Sequence, residues 1–146
     1  MKKTIKLFLA LLAILFSSVS FSQKLPSIGF NAGYMREYIR LQNPIAYEEE
    51  IDSTSGSLLL KSAFNDYNIG VVCDERLYCY QIIISIKNEK GLDKFIKEFD
   101  SNWIRHKDDS WFDIDYKYNI KSNARIRSMN DKIIIQITGE NYYSLK

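Results

Sequence analysis

Histidine is nearly absent from this chain, with His106 the single residue in 146. That removes the paired-histidine patterns of metalloproteases and most sites built on imidazole. Asp108 and Asp109 follow His106 closely and raise a catalytic or metal-binding His–Asp set. No nucleophile elbow or Cys/His spacing accompanies it, so His106 reads as a solvated residue after a helix C-terminus, where positive charge is welcome. Cysteine is scarce too, and Cys73 with Cys79 alone lack the other ligands that zinc requires. A Gly-rich phosphate loop and βαβ alternation are both missing, which argues against a nucleotide-binding parallel sheet. No internal repeat stands out. The expectation is a non-enzymatic chain with no catalytic residues, no cofactor and no metal.

An excess of basic charge is also missing once the N-terminus is considered. Met1-Lys2-Lys3-Thr4-Ile5-Lys6 precedes an apolar run from Leu7 to Phe16, and small residues follow at Ser20 and Ser22. This is the pattern of a secretory signal peptide, residues 1–22, cut before Gln23. The run is well short of the roughly 20 apolar residues of a membrane span. No cysteine lies near the cut to carry a lipid anchor, so the mature chain is expected to be free and soluble, in the periplasm or secreted. The whole chain has 20 Lys and Arg against 18 Asp and Glu. Removing Lys2, Lys3 and Lys6 leaves 17 against 18, a net charge of −1. With no positive field and no Lys/Arg cluster, nucleic acid is not an expected partner.

The remainder, residues 23–146, is expected to be one domain with an isoleucine- and aromatic-rich core that favours sheet. Asn31 to Gln42 can form a short helix, with Asn31 as N-cap and Tyr34, Tyr38 and Leu41 on one face, stopped by Asn43-Pro44. Ile45–Ile51 and Ser57–Ser62 read as strands about a turn at 52–56. Tyr67–Cys73 and Tyr78–Lys87 read as the central hairpin, the second strand placing Tyr78, Tyr80, Ile82, Ile84 and Ile86 on an apolar face. Asn88 caps the main helix, whose Leu92, Phe95, Ile96, Phe99 and Trp103 recur three and four apart. Trp103–Lys107 can form a short strand. Trp111–Tyr118 alternates, with Phe112, Ile114, Tyr116 and Tyr118 on one side. Residues 119–123 read as a loop, and Ala124–Met129 with Lys132–Thr138 as a hairpin across Asn130-Asp131, before a frayed tail. The order predicts an α+β fold: an antiparallel sheet of about five to six strands, covered by one main amphipathic helix and a short N-terminal helix.

Export favours a disulfide between Cys73 and Cys79. A five-residue loop sets them opposite one another but breaks the apolar face. A four-residue loop, Asp74 to Leu77, pairs Tyr78 with Cys73, Tyr80 with Val71, Ile82 with Ile69 and Ile84 with Tyr67; it keeps that face and parts the cysteines. A one-residue slip exchanges the faces of a strand, so the core pattern should dominate, unless a bulge near Asp74 satisfies both demands.

Asp109, Asp113 and Asp115 suggest calcium, but no tightly turned loop with a Gly at its bend surrounds them, and the wet side of an edge strand explains them better. Glu48–Glu50 reads first as a solvated face and second as a patch for a basic partner. Trp111 falls on the acidic side of its strand with Asp113 and Asp115, and an exposed tryptophan there would mark a binding surface.

Three stretches carry a resemblance: Gly29 through Leu41-Gln42-Asn43-Pro44, then Tyr78-Cys79-Tyr80-Gln81, then Trp103 to Trp111. Their layout resembles small, uncharacterised secreted proteins of Bacteroidota-type envelopes. The first stretch is also similar to the opening of BamE-like envelope lipoproteins, whose helix ends in Leu-Gly-x-Pro; here Gln42 replaces the Gly and the lipobox is missing. The resemblance implies an envelope setting and no reaction. The expected function is therefore non-catalytic binding of a protein or other envelope component, with an inhibitor or immunity-type protein against a toxin or hydrolase as the alternative.

Overall fold

A computed structural model describes residues 31–42, 46–117 and 119–141. The expected signal peptide, the expected Asn43-Pro44 stop, Tyr118 and the last five residues lie outside the described residues. Helix α1 (Ala32–Gln42) comes first, then strands β1 (Tyr47–Ile51), β2 (Leu58–Ala63), β3 (Tyr67–Cys73) and β4 (Cys79–Ile86). Helix α2 (Glu89–Asn102) follows, then β5 (Ile104–Lys107), β6 (Ser110–Asp115), β7 (Ile120–Met129) and β8 (Lys132–Asn141).

All eight strands join one antiparallel sheet in the order β1-β2-β3-β4-β8-β7-β6-β5. This corrects the expected α+β arrangement of five to six strands under one main helix: the chain is mostly sheet, with two helices beside it. Two features enlarge the sheet beyond expectation. Residues 120–123, read as a loop, extend β7 to ten residues, and β8 runs on through Asn141 to match it. The β7–β8 turn is the expected Asn130-Asp131 pair, with φ of 49° and 62°. Positive φ at both centres matches the twist of the flanking strands, so ten residue pairs close without a break.

One face of the sheet is the core. A row runs across seven strands from Trp111 through Ala124, Ile137, Ile82, Val71 and Leu60 to Glu49. All but the terminal Glu49 are buried. The next row runs Ile126, Ile135, Ile84, Ile69, Ser62, Tyr47. Both helices contribute to this side: Ala32, Met35 and Ile39 from α1, Phe95 and Phe99 from α2.

Helix α1 buries a different stripe from the one expected. Tyr34 and Leu41 are 48% and 64% exposed, because the buried line is Ala32, Met35 and Ile39, with Tyr38 at its margin. Asn31 caps the helix as expected, its Oδ1 accepting from Tyr34 N at 2.9 Å. Ala32 N also donates to Leu77 O at 2.7 Å, tying the helix start to the β3–β4 loop. Helix α2 keeps its expected face and its Asn88 cap, whose Oδ1 accepts from Gly91 N at 3.0 Å. Among the described residues no helix is long and apolar enough to cross a membrane.

The central hairpin resolves the register conflict by the expected alternative, a bulge close to Asp74, where the register shifts between Val72 and Cys73. Val71 pairs with Ile82, Ile69 with Ile84 and Tyr67 with Ile86, two residues away from the expected partners. At the loop end Cys73 pairs with Cys79 instead, and the sulfurs lie 2.07 Å apart. Tyr80 is the extra residue that absorbs the shift between the Val72–Gln81 and Cys73–Cys79 pairs. This bulge lets Cys79 and Ile82, three apart, share the core face. It also overturns the placing of Tyr78 and Tyr80 in the core: they are 57% and 45% exposed.

Candidate functional site

Trp111 with Asp113 and Asp115 does not form the expected surface. Trp111 is 1% exposed and stacks on Phe99 with centroids 5.3 Å apart. Its Nε1 donates to Asp100 at 2.8 Å, which satisfies the indole inside the core. The guanidinium of Arg105 lies 5.2 Å above the ring. The acidic neighbours misled the reading: β6 lies at the margin of the core, where one face passes within two residues from a buried Trp111 to the half-buried Asp113. Asp115 closes a local turn, its Oδ1 accepting from Lys117 N at 3.0 Å. Among the described residues no group of three or more His, Cys, Asp and Glu side chains converges.

The opposite face of the sheet holds the better candidate. Among the described residues neither helix lies over it, and its residues follow from the pairing. One row is Glu48, Lys61, Gly70, Ile83, Gln136, Arg125, Ser110; another is Glu50, Leu59, Val72, Gln81, Thr138, Asn123, Phe112. The face is polarised. Its β1 edge is acidic, with Glu50 paired to Lys61. Its far half carries Lys121, Arg125 and Arg127 on β7, with Glu140 at the register position opposite Lys121.

Between these ends the surface is apolar and hollow. A groove of about 470 Å³ is lined by Leu59, Lys61, Ala63, Gly70, Ile83 and Ser85 among others. A second hollow is bordered by Leu59, Val72 and Tyr80. Gly70 is among the residues that line the first. Its φ is outside the left-handed region, and a Cβ there would meet Leu59 Cδ1 at 3.7 Å and Ile83 O at 3.9 Å, both ordinary contacts. Neither backbone geometry nor crowding calls for glycine at this point in a central strand. Its missing side chain leaves the groove wider at that point.

Gly70 was overlooked in the sequence, although a glycine inside a strand pattern is a recognisable sign of a close approach. Arg125 and Arg127 were overlooked for another reason. They alternate along β7, but only the fold brings His106 and β8 beside them.

At the α1 end of the core face, Arg36 grips Glu49 with two hydrogen bonds, one of them Nη2 to Oε2 at 3.0 Å. Tyr47 donates to the same carboxylate. These two donors hold the Glu49 carboxyl below the usual carboxylate range, and the Arg36 guanidinium is raised by the same carboxylate. The cluster fixes helix to edge strand. Comparison with protein-family models, with curated proteins and with solved structures finds no match.

Proposed function

We propose that this chain is an exported, non-catalytic binding protein that holds a protein partner against the uncovered face of its sheet. The observation that carries the reading is Gly70. A glycine inside a strand costs roughly 0.5–1 kcal/mol relative to alanine, and here nothing in the fold requires it. The groove it widens suits an apolar side chain of the partner, with Leu59 and Ile83 as walls and Tyr80 as a large amphipathic contact nearby. Docking is to the face and not to the edge, because Glu48, Glu49 and Glu50 give the β1 edge a charge that discourages strand addition. Export rests on the signal-peptide pattern of residues 1–22, and the Cys73–Cys79 bond is compatible with an oxidising compartment.

The test uses Gly70→Val, which narrows the groove with a residue that strands favour. Envelope fractions are passed over the immobilised chain and over the variant. A partner retained by the native chain and lost from Gly70→Val, at an equal or higher thermal midpoint, supports the reading. A partner held equally by both, and equally by Tyr80→Ala, overturns it. If the retained partner is a hydrolase or toxin whose activity falls on binding, the chain is of the inhibitor or immunity type.

A further inference from the structure

The far half of the uncovered face carries chemistry that the groove does not. A depression of about 260 Å³ lies there, lined by His106, Ser110, Asn123, Arg125, Arg127 and Gln136 among others. Its described polar side chains can all donate hydrogen bonds, and among the described residues no carboxylate lines it. Arg125 and Arg127 stand two apart on one strand face, about 7 Å between their Cα atoms. Among the described residues neither is in an ion pair. Ser110 faces Arg125 from β6 and Gln136 faces it from β8.

Two features are those of a built site. The first is a bulge in β5. Arg105 pairs with Trp111 and Lys107 with Ser110, so His106 is the extra residue. Bulges re-aim side chains, and this one leaves His106 lining the depression, edge-on to Phe112 at 6.4 Å. The second is the Ser110 hydroxyl. The residue is 9% exposed, and its Oγ is buried with no hydrogen-bond partner among the described residues. A buried polar group left unmade is costly, and an acceptor seated there would relieve it.

We infer that this depression binds a phosphate-type oxyanion, either inorganic phosphate or the head of a phosphomonoester. Arg125 and Arg127 supply planar guanidinium donors to separate oxygens, and His106, Ser110 and Gln136 approach from three neighbouring strands. Donors arriving from four strands suit a tetrahedral anion better than a planar carboxylate, which one guanidinium can satisfy. The basic groups are confined to β7 and to His106 on β5, and Glu48 and Glu50 occupy the far edge of the same face. That distribution disfavours a nucleic-acid backbone. The site lies three strands from Gly70, roughly 14 Å, so its failure and the failure of the docking face are separate results.

Backbone amide shifts of the full chain, followed by NMR during titration with inorganic phosphate, test the inference. Saturating shifts at His106, Ser110, Arg125, Arg127 and Gln136 are expected. Arg125→Ala and Arg127→Ala should each weaken binding about tenfold, the loss of one charge-assisted contact. Arg127→Lys should fall between, since the charge remains while the fork is lost. If either alanine variant lowers the thermal midpoint, the glutamine variant replaces it. Glycerol phosphate binding at least as tightly assigns a phosphomonoester; weaker binding assigns the free anion. Absent shifts, shifts that survive in the variants, acetate binding as tightly as phosphate, or tighter binding of a short single-stranded oligonucleotide would each overturn it.

Discussion

Gly91 stands in the first turn of α2, where alanine would ordinarily be the better helix former by about 1 kcal/mol. Here a Cβ would sit 2.4 Å from the carbonyl oxygen of Asp66, a backbone atom that cannot swing aside. Asp66 is itself fixed: its carbonyl accepts from Lys87 N at 2.9 Å and its Oδ1 from Asn88 Nδ2 at 2.9 Å. The helix start is thus seated on the β2–β3 turn, and only glycine allows the approach. Gly91→Ala should destabilise by about 1–3 kcal/mol, the reverse of the usual sign. Urea unfolding measures it, and an unchanged or higher midpoint would mean the turn yields without cost. Gly70 makes the contrast. There a side chain has room, and substitution should preserve or raise stability while narrowing the groove.

Among elements, the central hairpin and the α1–β1 contact carry separate predictions. The Cys73–Cys79 bond closes a very short loop, so the chain-entropy account gives about 2 kcal/mol. Replacing both cysteines by alanine should lower the unfolding free energy by about that amount, and reduction should add two hydrogens to the intact mass. A variant as stable as the native chain would mean the bulge and the apolar pairs fix the hairpin unaided. The Arg36–Glu49 contact acts through pH. Since the folded state lowers the Glu49 carboxyl, its contribution is present above the ordinary carboxylate range. It is lost as pH falls through the lowered folded value. Both side chains are about a third exposed, so the loss should stay under about 1 kcal/mol. Glu49→Gln should flatten that part of the acid limb; a limb of unchanged slope would assign it to other carboxylates.

The same elements show what periodicity could reveal. Strand existence was legible at β3, β4 and β8 because apolar residues alternate or run together there, and α2 was legible from Phe95, Phe99 and Trp103. Register was not. A bulge at Tyr80 changes which residues face inward without altering the composition of the strand, so Tyr78 and Tyr80 read as core and lie outside it. Trp111 failed through its neighbours: flanking aspartates signal water only if the whole strand shares one environment, and β6 does not. The phosphate-site residues come from β5, β6, β7 and β8, a convergence that no local pattern encodes.

On the scale of the whole molecule, the sheet has one side packed by both helices and one side that, among the described residues, neither helix lies over. Ile83 and Ile84 are the same residue, adjacent in one strand, on opposite faces. Ile84 is fully buried between Ile69 and Ile135, whereas Ile83 is 37% exposed beside Gly70. Ile84→Ala should therefore cost about 3–4 kcal/mol, transfer and cavity together. Ile83→Ala should cost under about 1 kcal/mol, since much of its surface already meets water. The two variants also test the state of the free protein. If Ile83→Ala proves as damaging as Ile84→Ala, the uncovered face is buried in solution, and a concentration-dependent midpoint would identify a second copy as its cover. If the costs separate as argued, the face stands open in the isolated chain, and partner binding and folding can be perturbed one without the other.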